Sequence, residues 1–324
     1  MTAAGGKPAG EHLRERQPVA LAGLPREVTV YEVSPRDGLQ NESTLVPVGT
    51  KLELISRLLG AGLKALEVTS LVRPDRVPQL ADADELLARL EPRDGARFVV
   101  LVPNLRGLER AEAASVREIA VFASATESFA LANLHRTRRE SMAMFAEVAE
   151  HALADGLAVR GYVSMCFGDP DEGPVAVAAV VGVVRELFEM GCWQVSIGDT
   201  IGVAGPGQVH ELIEAVDAAG IDGKMLAVHF HDTYGQALAN TLAALRAGVT
   251  TVDTSAGGIG GCPYARSATG NLATEDLVFM LEGLGIDTGV DLGALAETSS
   301  WMAEQLGRPS PSKVVTAFRK EKSR

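Results

Sequence analysis

The segment His229-Phe230-His231-Asp232-Thr233-Tyr234-Gly235-Gln236 holds the densest chemistry in this chain. It reads as the end of a β-strand carrying two imidazoles in i, i+2 register. Strand side chains alternate faces, so His229 and His231 point the same way. Two neutral imidazoles on one face are a ready pair of metal ligands. The competing reading is a strand with two incidental histidines. Only six His occur in 324 residues, so two of them here is a pattern worth following.

Ser34-Pro35-Arg36-Asp37-Gly38-Leu39-Gln40-Asn41-Glu42 supplies the complementary groups. Asp37 offers a hard oxygen ligand and Arg36 a fixed cation beside it. An Asp with two His leaves open positions on a divalent ion, suited to chelating substrate oxygens. The alternative is an Asp-Gly turn with a surface Arg–carboxylate pair. Gly257 to Arg266 has the glycine content of a lid and contains Cys262. Cys262 is a candidate acid/base or nucleophile, or else a buried inert thiol. The segment matches neither the Walker pattern nor the dinucleotide fingerprint. Thr274-Glu275-Asp276 favours a helix start. Asn271, just before it, reads as a plain cap or as an amide oxygen completing a metal site, and spacing alone favours the cap.

Chain-wide patterning says what must position these groups. Short β-branched runs lie near Val28–Glu32, Ala65–Ser70, Phe98–Val102, Ile119–Ala123, Ala158–Ser164, Gln194–Asp199, Met225–His231 and Thr250–Thr254. Between them run Ala/Leu/Glu-rich stretches at helical period, such as Lys51–Ala61, Val175–Met190 and Gln208–Ala219. Gly62, Gly191 and Gly248 mark helix ends before strands. Eight strands alternating with helices predict a closed parallel (β/α)8 TIM barrel of the α/β class, over residues 27–300. Residues 1–26 read as a disordered N-terminal arm, and 301–324 as a short C-terminal helical extension packed on the barrel.

Barrel enzymes place their chemistry at the carboxyl ends of strands. Arg36 and Asp37 follow the first strand, Glu67 and Thr69 end the second, Asp199 ends the sixth, and the two His end the seventh. The glycine loop and Asn271 follow the eighth. Scattered polar residues would not land there so consistently.

A formal net charge of −12 argues against general nucleic-acid binding. Cys166, Cys192 and Cys262 show no paired spacing, which fits a reducing compartment and a cytoplasmic location. Cys166 and Cys192 carry no functional reading. No apolar run is long enough for a membrane helix. Residues 1–26 lack the apolar core of a signal peptide, and Glu11 and Glu15 count against a transit peptide. Arg136, Arg138 and Arg139 could meet a phosphate or form a solvated helix face.

Taken together, Ser-Pro-Arg-Asp-Gly-Leu-Gln-Asn-Glu, Leu-Glu-Val-Thr-Ser, Val-Pro-Gln-Leu-Ala-Asp, Arg-Gly-Tyr-Val-Ser, Ser-Ile-Gly-Asp-Thr-Ile-Gly-Val, His-Phe-His-Asp-Thr-Tyr-Gly-Gln-Ala-Leu-Ala-Asn, Gly-Gly-Ile-Gly-Gly-Cys-Pro-Tyr-Ala and Gly-Asn-Leu-Ala-Thr-Glu-Asp-Leu resemble the 3-hydroxy-3-methylglutaryl-CoA lyase family. The resemblance runs in barrel order from Val28 to Asp287. It implies metal-dependent retro-Claisen cleavage of that thioester to acetyl-CoA and acetoacetate, as in leucine breakdown. It implies a divalent ion, Mg²⁺ or Mn²⁺, held by Asp37, His229, His231 and Asn271. By the same resemblance Arg36 sits at the thioester carbonyl, Cys262 lies on a closing loop, and Gln40, Glu67, Thr69 and Asp199 contact substrate or support the site. Proton transfer falls to some combination of Asp37, His229 and Cys262. An acyl-CoA partner, a homodimer and no membrane or nucleic-acid partner are implied as well. The alternatives are a lyase for a related 3-hydroxy-3-substituted acyl-CoA and a Claisen-condensing enzyme of the same superfamily. Two segments depart from the family pattern: Gly168-Asp-Pro-Asp-Glu-Gly173 and Phe129-Ala-Leu-Ala-Asn-Leu-His135. Both are expected on loops touching substrate or CoA, which bears on acyl-group preference.

Overall fold

The computed structural model describes residues 17–261 and 270–322. Eight parallel strands close into a barrel: β1 (Thr29–Glu32), β2 (Ala65–Ser70), β3 (Arg97–Leu101), β4 (Glu118–Ser124), β5 (Ala158–Ser164), β6 (Gln194–Asp199), β7 (Leu226–Phe230) and β8 (Thr251–Thr254). Each strand pairs with its sequence neighbours. β8 closes on β1 in the register Thr29↔Thr251 to Glu32↔Thr254. Around the barrel lie α1 (Val48–Gly60), α2 (Ala83–Arg89), α3 (Leu105–Ala113), α4 (Glu127–Leu134), α5 (Arg138–Ala154), α6 (Val177–Glu189), α7 (Pro206–Ala218), α8 (Ala237–Arg246) and α9 (Thr274–Gly283). Two further helices follow, α10 (Leu292–Leu306) and α11 (Lys313–Lys322).

The period-2 alternation of each strand sorts its side chains into two compartments. Leu66 and Val68, Ile119 and Val121, Val159 and Val163, Val195 and Ile197, and Leu226, Val228 and Phe230 face the helices and join one large core. Residues of the other parity fill the barrel. Tyr31, Val33, Ala65, Val99, Leu101, Ala120 and Tyr162 make a small apolar cluster there. The β5–β8 sector instead carries Arg160, Gln194, Ser196, Thr251 and Asp253, all buried. Burying an ion pair costs desolvation that only a fully hydrogen-bonded geometry offsets. Here Arg160 donates from Nε to Gln194 at 2.9 Å and from Nη2 to Asp253 at 2.7 Å.

Local signals explain where elements begin and stop. Thr137 caps α5 in a reciprocal capping box with Glu140. Gly62, Gly191 and Gly248 all adopt positive φ. At Gly62 a Cβ would also stand 2.2 Å from the carbonyl oxygen of Gly289, so only glycine lets that turn close.

Four sequence expectations need revision. Gly168–Asp169 pairs with Gly173–Pro174 in a small antiparallel hairpin. Phe129 to Leu134 is helix α4, with His135 as its left-handed cap, because the run is composed of helix formers. The two departing segments are therefore a hairpin and a helix, not loops. The boundary at residues 300/301 falls inside α10, which runs unbroken from its cap at Asp291 to the left-handed Gly307. Of the arm expected over residues 1–26, residues 1–16 lie outside the described residues. The rest is tied to the barrel, with the Val19 N–H donating to the Gly283 carbonyl at 2.9 Å.

Candidate metal and active site

Three ligand-type residues converge at the carboxyl end of the barrel. One ligand atom each from Asp37, His229 and His231 lie within 4.8 Å of one another. Their side chains reach this point from two directions. Asp37 sits in a wide π-type turn, Ser34–Gly38, directly after β1; such turns recur at functional sites because they re-aim side chains. His229 is on β7. His231 lies just past it, where its backbone bridges to Asn271. The rings lie 5.4 Å apart between centroids, on the same face as the alternation requires.

Asn271 is part of the cluster, not a helix cap: α9 is preceded by Ala273. Its Nδ2 donates to Asp37 Oδ2 at 2.8 Å and to the Ile259 carbonyl at 3.2 Å. Its Oδ1 is buried without a hydrogen-bond partner. The Nδ1 atoms of both histidines are orphaned in the same way. Buried unpartnered polar atoms are costly. Three atoms are orphaned here, and the set of carboxylate, amide and imidazole donors supplied by Asp37, Asn271, His229 and His231 fits a divalent ion of hard to intermediate character.

Electrostatics prepare the ligands. Burial opposes ionisation of Asp37, but Arg36 and the two imidazoles outweigh it and hold its pKa at about 2. Burial, and then the neighbouring His229, push His231 down to about 4 against the pull of Asp37. The carboxylate is thus charged and the His231 imidazole neutral near pH 7, the forms that bind a cation.

Arg36 is buried and its guanidinium is held on both sides. Nε donates to Glu67, and Nη1 to Asp37 Oδ1 at 2.9 Å. Glu67 also accepts from Tyr162 at 2.5 Å and Tyr31 at 3.3 Å. Burial would lower the Arg36 pKa, yet Glu67, Asp37 and Tyr162 raise it further, so the cation is permanent.

The remaining expected residues fall in different places. Thr69 is buried beside an irregularity in the β2–β3 ladder, its hydroxyl unpartnered. Asp199 is buried, and its carboxylate accepts from the N–H groups of Val203 and Ala204 at 3.0 and 2.9 Å. It shapes its own loop. Gln40 is half-buried beyond the turn. Cys262 lies outside the described residues. Up to that point the glycine loop is tightly placed: at Gly260 (φ +109°) a Cβ would stand 2.6 Å from Asn271 Nδ2. Arg136, just before α5, and Arg139 are exposed, whereas Arg138 is half-buried with its Nε unpartnered. Neither Asp253 nor Arg160, which opens Arg160-Gly-Tyr-Val-Ser164, receives a role from the sequence. Asp253 pairs with His229 in the β7–β8 register, and its partner Arg160 is 93 residues away in the chain.

The model of the HMGL-like family matches residues 27–302. The chain belongs to this family. A mitochondrial hydroxymethylglutaryl-CoA lyase of Arabidopsis thaliana is 51% identical over 91% of the chain, which spans 63% of that relative's length. The mitochondrial hydroxymethylglutaryl-CoA lyase of Mus musculus is 48% identical, with 94% of each protein covered. The crystal structure of hydroxymethylglutaryl-CoA lyase from Pseudomonas aeruginosa superposes with a TM-score of 0.89 at 45% identity, covering 92% of this chain and 99% of that one. Among the described residues, no helix is long and apolar enough to cross a membrane.

Proposed function

We propose that the protein cleaves 3-hydroxy-3-methylglutaryl-CoA to acetyl-CoA and acetoacetate, using a divalent ion held by Asp37, His229, His231 and Asn271. The observation that carries this reading is the convergence of Asp37, His229 and His231 within 4.8 Å at the barrel mouth, in a chain so similar to lyases of that name.

Retro-Claisen cleavage must remove the C3 hydroxyl proton and stabilise the departing enolate. When bound, Mg²⁺ or Mn²⁺ would polarise substrate oxygens and acidify the hydroxyl. Arg36 supplies a preorganised cation for the enolate oxygen, the role of an oxyanion donor. Glu67, braced by two tyrosine hydroxyls, keeps that guanidinium in one orientation. Proton transfer is assigned to the set Asp37, His229 and Cys262. Within it Asp37 is a weak base, because Arg36 holds its pKa at about 2. The assembly is proposed to be a cytoplasmic homodimer, tested by light scattering and cell fractionation.

A lyase for a related 3-substituted acyl-CoA is the second reading, motivated by the departures from the family pattern at Gly168–Gly173 and Phe129–His135, two segments that lie close together in the fold. In the hairpin, Asp169 accepts from Thr126 Oγ1 at 2.6 Å and Ser128 Oγ at 3.0 Å, fixing the rim between β4 and β5. The test compares kcat/KM for the C3-methyl substrate with that for C3-hydrogen and C3-ethyl analogues. Preference for the methyl compound is expected. Preference for either analogue would move the assignment to the second reading.

A further inference from the structure

Asp253 lies beside His229 across the β7–β8 ladder, with its carboxylate fully buried. The two nitrogens of His229 face two different carboxylates. Nε2 lies 3.9 Å from Asp37 Oδ2, inside the ligand cluster. Nδ1 lies 3.7 Å from Asp253 Oδ2, on the opposite edge of the ring. That separation is longer than a hydrogen bond, and Nδ1 is buried without any other partner.

Asp253 cannot reverse its polarity. Arg160 donates to Oδ1 at 2.7 Å and to Oδ2 at 3.2 Å. Ser196 Oγ donates to Oδ2 at 2.8 Å. Arg160 is itself fixed by Gln194 at 2.9 Å and by the ring of Tyr31, 4.0 Å from its guanidinium carbon. A carboxylate saturated by donors in this way stays ionised, and an ionised carboxylate only accepts. A neutral imidazole beside it is favoured with its proton on Nδ1, which leaves the lone pair on Nε2.

We propose that Asp253, locked by Arg160 and Ser196, is a positioning residue that fixes His229 as the Nδ1–H tautomer and so presents Nε2 to the divalent ion. This rests on the metal site assigned above. It gives the buried polar layer of the β5–β8 sector a task beyond filling the barrel. Ligand histidines are commonly oriented through their second nitrogen by such a group.

The direct test needs no variant. Metal-free wild-type protein with ¹⁵N-labelled histidine is examined by NMR near pH 8.5, about two units above the ordinary imidazole pKa. His229 is assigned by the signals lost in His229→Gln. A protonated Nδ1 with a bare Nε2 is the expected result. An Nε2–H ring would overturn the proposal. In Asp253→Asn, whose amide can donate to Nδ1, the tautomer is expected to shift and the Mn²⁺ dissociation constant to rise by about 10- to 100-fold. Folded Asp253→Asn with the wild-type tautomer and Mn²⁺ affinity would also overturn it; if that variant does not fold, the wild-type tautomer decides. An Nδ1–H ring with Asp253-dependent Mn²⁺ binding but no acetoacetate release from 3-hydroxy-3-methylglutaryl-CoA would uphold this proposal and remove the lyase assignment instead.

Discussion

Arg36 is charged, buried and engaged on both sides, by Glu67 and by Asp37. A surface arginine would lose most of its field to water, whereas this one keeps it. Replacing it with glutamine removes the cation but none of the four proposed ligands. The expected outcome is a fall in kcat of about 10²- to 10³-fold, the usual cost of losing an oxyanion donor. Mn²⁺ affinity, measured by calorimetry, should change far less; a parallel collapse of both would show that Arg36 serves the ion rather than the enolate. At this scale the sequence was legible where chemistry depends on residues close in the chain. His229 and His231 share a face because strands alternate, and Arg36 and Asp37 are neighbours. Asp253 and Arg160 were not legible. Each is an ordinary strand residue by type, and only barrel closure brings them together. Asn271 was misleading for a different reason: a polar residue just before a helix looks like a cap, and only the folded chain shows its amide turned to Asp37.

At the scale of elements, the start of the glycine loop after β8 is fixed by packing. Gly260 combines a left-handed backbone with a close approach to Asn271 Nδ2. Gly260→Ala must displace Asn271 or the turn, so Mn²⁺ binding should weaken while the barrel stays folded. Gly182→Ala is the control: it lies in α6, and a Cβ there meets nothing within 4 Å. A melt of that variant should show no loss, and a gain of up to about 1 kcal/mol from helix propensity. Equal damage from both substitutions would refute the packing account of the loop. Strands were readable to within one or two residues because their outward faces form continuous apolar runs against the helices. The two-residue hairpin at Gly168–Pro174 was not, since elements so short carry no periodicity.

At the scale of the whole molecule, a buried carboxyl on α9 ties the turn after β8 to α10. Glu275 accepts from the Gly257 N–H at 2.9 Å and from Ser299. Burial, reinforced by Glu32, raises its pKa to about 8 despite these hydrogen bonds. Unfolded, it would ionise near pH 4.3, the ordinary value for glutamate. Between these values the folded chain keeps a proton that the unfolded chain has released. Its contribution to stability is therefore greatest below about pH 4 and is lost as pH rises toward about 8. Glu275→Gln should melt at a temperature that gains on the wild type across that window and then runs parallel. Parallel curves throughout would mean Glu275 folds ionised.

The central claim is that a divalent ion bound at Asp37, His229, His231 and Asn271 drives carbon–carbon cleavage of the acyl-CoA. The most direct measurement is acetoacetate release from 3-hydroxy-3-methylglutaryl-CoA with Mg²⁺ or Mn²⁺, with EDTA, and in His231→Ala. Cleavage should appear with either ion and stop with EDTA. In His231→Ala it should fall by at least about 100-fold, together with Mn²⁺ affinity, since even residues that only support ligands cost 10- to 100-fold. Cleavage that persists in EDTA and in His231→Ala would contradict the account.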